Sequence, residues 1–194
     1  MLDLENIVED YHEASIEKRV DMILRNFSNF EAIVDCCEKN LSVTIKEEID
    51  YNRREELGNL GVRVQTSNIS NPTLSDAANR EEIEKAIHNG EYYRILRWTD
   101  DFEKHRTQII TLQKMRNDYF RVSNVVNCLD PQNRRIFRKY ISKEASVETL
   151  AEVEKLTHDS VKTRIKEARK TVRSCAGREM RNGIDFAVLE KAVA

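Results

Sequence analysis

Glycine and proline are scarce, five and two in 194 residues, so the chain lacks the punctuation that short strands and tight hairpins require. With 34% charged residues, this is the composition of long helices rather than of sheets. Apolar runs are equally short. None approaches the roughly 20 residues that cross a bilayer, so no membrane partner is expected. Met1-Leu2-Asp3-Leu4-Glu5 is acidic where a secretory leader carries positive charge. Of four cysteines, Cys36 and Cys37 are adjacent while Cys128 and Cys175 are isolated, and no pair has zinc or redox spacing. Free thiols in a reducing cytoplasm are expected. His12, His88, His105 and His158 are scattered, without Cys or carboxylate at metal-ligand spacing. There is no glycine-rich phosphate loop and no nucleophile motif. The expectation is therefore no cofactor, no metal and no enzymatic activity. Glu47-Glu48 and Asp100-Asp101 read as solvated helical pairs, and His105 as a satisfied core residue.

What is abundant is helical periodicity. Ile16, Val20, Ile23, Phe27, Phe30, Val34, Cys37 and Leu41 recur at alternating fours and threes, a heptad stripe. A second stripe runs through Ile95, Trp98, Phe102, His105, Ile109, Leu112 and Tyr119, interrupted by Arg116. Asn89-Gly90 breaks the segment before it, which predicts helices near 75–88 and 91–126. The two stripes pair most cheaply as an antiparallel hairpin within one chain. The alternative is a homo-oligomer joined through these N-terminal helices. Between them, Gly58 to Thr73 lacks helical periodicity and accumulates Gly, Asn, Ser and Pro, the pattern of a polar linker. Thr73 or Ser75 is placed to cap the helix that follows. Ordered loops of this length are uncommon unless they have a task.

The most informative run is Ser146 to Arg173. Ser146 is a good N-cap, because its hydroxyl accepts from an amide of the first turn. Leu150, Ala151 and Val153 follow on one predicted face, with Ala151 small enough for a second helix to cross closely. Thr157 is the next capping residue. After it Val161, Ile165, Ala168 and Val172 form one apolar stripe. Opposite lie Lys162, Arg164, Lys166, Arg169, Lys170 and Arg173, a basic wet face that suits phosphate oxygens. This is the layout of a helix-turn-helix. Charge is distributed to match. Residues 129–182 hold 14 Lys+Arg against 8 Asp+Glu, a balance of +6, and the remainder holds 18 against 26, a balance of −8. That asymmetry is the footprint of a DNA module joined to a non-binding partner region.

The segment resembles the region-4 helix-turn-helix of bacterial sigma factors. Leu150-Ala151 stand where that family has Ile-Ala, Leu156-Thr157 where it has Ile-Ser, and Ser160-Val161-Lys162-Thr163-Arg164 where it has Thr-Val-Lys-Ser-Arg. Leu129, Arg135, Ile136, Phe137 and Tyr140 fit the preceding helix. Glu154-Lys155 depart from the family's Leu-Gly turn. A lysine in glycine's backbone conformation costs about 1 kcal/mol, so a slightly rearranged turn is expected. With the Val62-Arg63-Val64-Gln65-Thr66-Ser67 and Asn71-Pro72-Thr73 segments and the helical arms, the chain is similar to small phage transcriptional regulators of the ArpU and RinA type. That resemblance implies activation of late genes, bacterial cytoplasm, double-stranded DNA as partner, and contact with host RNA polymerase as an option. A small terminase subunit that binds a packaging site, and a sigma-like factor, are the alternative functions.

The expected fold is all-α, a long helical hairpin or coiled-coil-like N-terminal part followed by a C-terminal helix-turn-helix. The expected divisions are an N-terminal helical segment 1–57, linker 58–74, helical arm 75–128, helix-turn-helix domain 129–176 and tail helix 177–194. The helix from about His158 to Arg173 is expected to enter the major groove N-terminus first. Asp159, Ser160, Lys162, Thr163, Arg164 and Lys166 are expected at bases or groove walls. Arg134, Arg135, Lys139, Ser146, His158, Arg169 and Lys170 are expected at phosphates. Gly177 is expected to end the basic helix. Beyond it Ile184, Phe186, Val188, Leu189 and Val193 are apolar enough to dock on the body or on a second subunit.

Overall fold

The computed structural model describes residues 4–56 and 72–182. The expected linker 58–74, apart from its last three residues, and the expected apolar tail from Ile184 onward lie outside the described residues. The described chain is all-α, without a strand: α1 Leu4–Glu13, α2 Ile16–Arg25, α3 Phe30–Glu56, α4 Pro72–Asn89, α5 Tyr92–Leu96, α6 Phe102–Asn127, α7 Pro131–Ile141, α8 Val147–Glu154 and α9 His158–Asn182. Among the described residues no helix is long and apolar enough to cross a membrane, and no three His, Cys, Asp or Glu are grouped as a metal site.

The chain forms two compact units, each discontinuous in sequence. The first is built mainly on Val34–Gln113, the second on Glu9–Ile33 and the described residues from Lys114 onward. Helices α1, α3 and α6 contribute to both. In the first unit α3 and α6 run in opposite senses. Glu48 Oε1 lies 2.8 Å from His105 Nε2, and Asn52 Nδ2 donates to Asp100 Oδ1 at 3.0 Å. His105 is 2% exposed, with Gln108 Oε1 3.1 Å from its other nitrogen. It is a satisfied core residue. Glu48 is not the solvated carboxylate expected, since it is drawn in to face that imidazole.

The first expected stripe is not one helix. α2 ends at Arg25 and α3 begins at Phe30, although Val20, Ile23, Phe27, Phe30, Val34, Cys37 and Leu41 are all buried. A short polar side chain between them competes for a backbone group, as Asn26 Nδ2 donates to the Met22 carbonyl at 3.0 Å, and the backbone N–H of Asn29 closes a turn on the Asn26 carbonyl at 2.8 Å. The second expected helix, 91–126, is likewise broken. Thr99 donates through Oγ1 to the Leu96 carbonyl at 2.8 Å, closing α5 before α6 starts. Asp100 and Asp101 therefore sit in a bend, not on a helix. The Asn89-Gly90 break is present. Gly90 takes φ +77°, and the Glu91 amide reaches back to the Ala86 carbonyl at 2.8 Å.

In the second unit an ion cluster is buried. Asp118 of α6 is 1% exposed and accepts from Tyr11 Oη at 3.0 Å, from Arg19 Nη1 at 2.9 Å and from Arg121 Nη1 at 3.1 Å. Beside it, Tyr119 stacks on Phe30 at 5.7 Å between ring centroids. These contacts hold α1 and α2 on α6 within the unit that also contains α9.

Candidate nucleic-acid interface

Helices α7, α8 and α9 pack around Ile136, Phe137, Ile141, Leu150, Val161, Ile165 and Val172, all buried. Burial of each such side chain contributes about 1.5–3 kcal/mol. Val153, expected on the buried face of α8, is instead 60% exposed.

The helix ends are built by short-range chemistry. Asp130 caps α7, accepting from the Asn133 amide at 3.3 Å, with Pro131 in the first turn. Ser146 caps α8 through the Thr149 amide at 3.3 Å, and Thr157 caps α9 through the Ser160 amide at 3.2 Å. The Ser146 hydroxyl also bonds Glu148, which holds that carboxyl below its usual value. The turn after α8 is not rearranged. Lys155 adopts φ 53° and ψ 43°, the left-handed conformation. The Leu156 amide bonds the Ala151 carbonyl at 2.9 Å, and the Lys155 amide bonds that of Glu152 at 3.3 Å, the paired pattern of a glycine-terminated helix. Lys143 at φ 58° ends α7 in the same way, with the Glu144 amide 3.0 Å from the Lys139 carbonyl. Lys155→Gly removes a Cβ clash worth about 1 kcal/mol. We expect it to raise the thermal midpoint; an unchanged or lower midpoint in a melt would show that the turn carries no strain.

The turn is also braced. Arg135 Nε donates to Glu154 Oε1 at 2.6 Å, and its Nη2 bonds Oε2 of the same carboxylate. This fork holds the Glu154 carboxyl below its usual value and raises the guanidinium's own pKa further. A carboxyl depressed in the folded state stabilises fully above its unfolded pKa, about 4.3, and loses that contribution as pH falls through the folded value. Glu154→Gln is thus expected to melt lower than the parent at pH 7, with the gap closing on acidification. A gap that is constant with pH would mean that the loss comes from shape and not charge.

Apart from Ser146, whose hydroxyl is spent capping α8, the residues expected to meet DNA divide into three groups. The first stays open on α9: His158, Asp159, Lys162, Thr163, Lys166 and Lys170 are exposed. Among the described residues none of these three lysines has a carboxylate at ion-pair distance. The second is engaged inside the protein. Arg164 is half-buried and donates to Asn133 Oδ1 at 2.8 Å, tying α9 to α7. Arg135 is held by Glu154, and Ser160 Oγ lies 2.8 Å from Thr157 Oγ1. Arg169 is half-buried, its Nε enclosed without a hydrogen-bond partner. The third group surrounds an open cleft of about 490 Å³, lined by Asn127, Arg134, Arg135, Arg138, Lys139 and Glu144. Arg134 Nη1 is anchored there on the Asn127 carbonyl at 2.7 Å. Arg138 was not among the expected contacts. Its signal is its spacing, since 134, 135, 138 and 139 share one face of a helix.

Two expectations about α9 are corrected. The helix does not end near Arg173 or at Gly177 but continues to Asn182. Gly177 is buried inside it, with Ile16 of α2 close by, and an added Cβ would lie 3.6 Å from the Ile16 methyl. Nor is Arg173 free for phosphate, because its Nε and Nη2 grip Asp21 at 2.7 Å each. Helix α2 therefore covers the C-terminal half of α9, and only about 158–170 present an open basic face. No family model, curated protein or solved structure matches this chain.

Proposed function

We propose that the chain is a sequence-specific DNA-binding transcriptional regulator that reads the major groove with residues 158–170 of α9. The observation that carries this reading is the open face Lys162, Lys166 and Lys170, which begins directly after a capped three-residue turn on a small helical core. A face without internal ion pairs releases counterions on meeting phosphate, which favours binding without breaking any contact of the folded state. Thr163 adds a hydroxyl near the helix start, where base edges are read. The cleft of Arg134, Arg138 and Lys139 supplies further phosphate contacts on α7. The likeness to ArpU and RinA type regulators extends the proposal to activation of late genes in a phage or prophage.

Selection of bound fragments from bacterial and phage genomic DNA with the full chain, at stated salt, tests it. Enrichment of a site upstream of a late operon is the expected result. Enrichment within terminase genes would replace regulation by packaging, and no enrichment would overturn DNA recognition altogether.

A further inference from the structure

The first unit contains a cavity of about 300 Å³ between the C-terminal part of α3, α4 and α5, a volume at the lower end of small-molecule sites. Its apolar wall is Ile49, Ile83 and Ile95, each 7% exposed, with Trp98 half-buried beside them. Its charged groups fall into two sets. Lys46 pairs with Asp50 at 2.6 Å and Arg94 pairs with Glu82, so those charges cancel locally. Arg53 and Arg97 meet no carboxylate among the described residues, which leaves the lining with a surplus of two positive charges. Arg97 lies over the Trp98 ring, its guanidinium carbon 4.7 Å from the centroid. The bend that carries both is fixed from α3, since Asn52 Nδ2 donates to the Trp98 carbonyl at 2.9 Å and to Asp100 at 3.0 Å. A wall of isoleucines beside uncompensated guanidinium groups asks for a ligand that is flat and apolar at one end and anionic at the other.

We propose that this cavity binds a small planar anion, an aromatic or heteroaromatic ring carrying a carboxylate or a phosphate. The ring lies along Ile49, Ile95 and the indole, and the anion meets Arg53 and Arg97. The surface of the first unit thereby gains a ligand-binding role that does not rest on the DNA reading. Trp98 is the only tryptophan of the chain, so its indole N–H gives a single resolved signal in a nitrogen-15 correlation spectrum. The full chain is titrated with adenosine 5′-monophosphate and, separately, with indole-3-carboxylate. The expected result is saturable displacement of that signal, with half-saturation at or below about 1 mM, by at least one of the two. Arg53→Ala and Arg97→Ala, both at exposed positions, are each expected to weaken binding about tenfold with the rest of the spectrum unchanged. Absence of saturation with both probes, or equal binding by the parent and both variants, overturns the proposal.

Discussion

Asp118→Ala is expected to destabilise the protein by about 3–5 kcal/mol, the cost of leaving a buried charge without its partner. That is a large share of the roughly 5–15 kcal/mol that holds a domain folded. The side chain is 1% exposed, and the Arg19 guanidinium it neutralises is 6% exposed. With the carboxylate gone, the Arg19 guanidinium loses the acid it donates to at 2.9 Å. Tyr11, fully buried, loses the acceptor of its hydroxyl in the same step. Burial first, and the Asp118 charge second, raise the Tyr11 pKa, so the phenol stays a neutral donor. Asp118→Asn keeps an oxygen for Tyr11 but not the charge, and is expected to cost less than Ala. Replacing the pair together, Arg19→Met with Asp118→Leu, is expected to recover only part of the loss, because the apolar pair needs no countercharge while the Tyr11 hydroxyl still lacks its acceptor. Urea unfolding of the four proteins measures this. If Asp118→Ala lost under about 1 kcal/mol, the cluster would be solvated in solution and α2 would be held by its apolar contacts alone.

Much of this architecture is visible in the sequence where the cause is local. Ser146, Thr157 and Gly90 act as stop and start signals because capping and left-handed turns depend on neighbours a few residues away. The α9 stripe of Val161, Ile165, Ala168 and Val172 is buried as its spacing predicts. The helical breaks at 26–29 and 97–101 were harder to see, since the apolar spacing runs through them unbroken and the side chains that bond the backbone there are Asn26 and Thr99. Least legible were the partners of charged residues. Read by spacing and charge, Arg135 on α7 and Arg164 and Arg173 on the basic face of α9 count as free, yet Glu154, Asn133 and Asp21 hold them, from 19 to 152 residues away. Periodicity says which face a side chain occupies, and only the fold says what already sits opposite it. Gly177 shows the same limit. Glycine marks helix ends by propensity, but here α2 packs against it inside α9.

That distinction separates two classes of arginine and lysine change, and so predicts how the interface divides. Lys162→Ala with Lys166→Ala removes two open cations of α9 and is expected to lower affinity for the selected site about a hundredfold or more, at roughly 1–3 kcal/mol for each base-edge contact. If either lysine meets a phosphate instead, its share of the loss is sequence-independent, and the slope of log affinity against log salt falls by about one. The melting temperature is expected to stay near the parent's, since neither side chain makes a hydrogen bond or an ion pair among the described residues. Arg164→Ala reverses the pattern. It removes the 2.8 Å bond to Asn133 that ties α9 to α7, so the thermal midpoint drops, and binding weakens only as far as the helix shifts. Arg173→Ala behaves alike through the loss of Asp21. Parallel melts and binding isotherms at two salt concentrations sort the four substitutions. A Lys162/Lys166 double variant with parental affinity and parental salt slope would take α9 out of the groove. A DNA contact would then have to be sought at the Arg134, Arg138 and Lys139 cleft on α7.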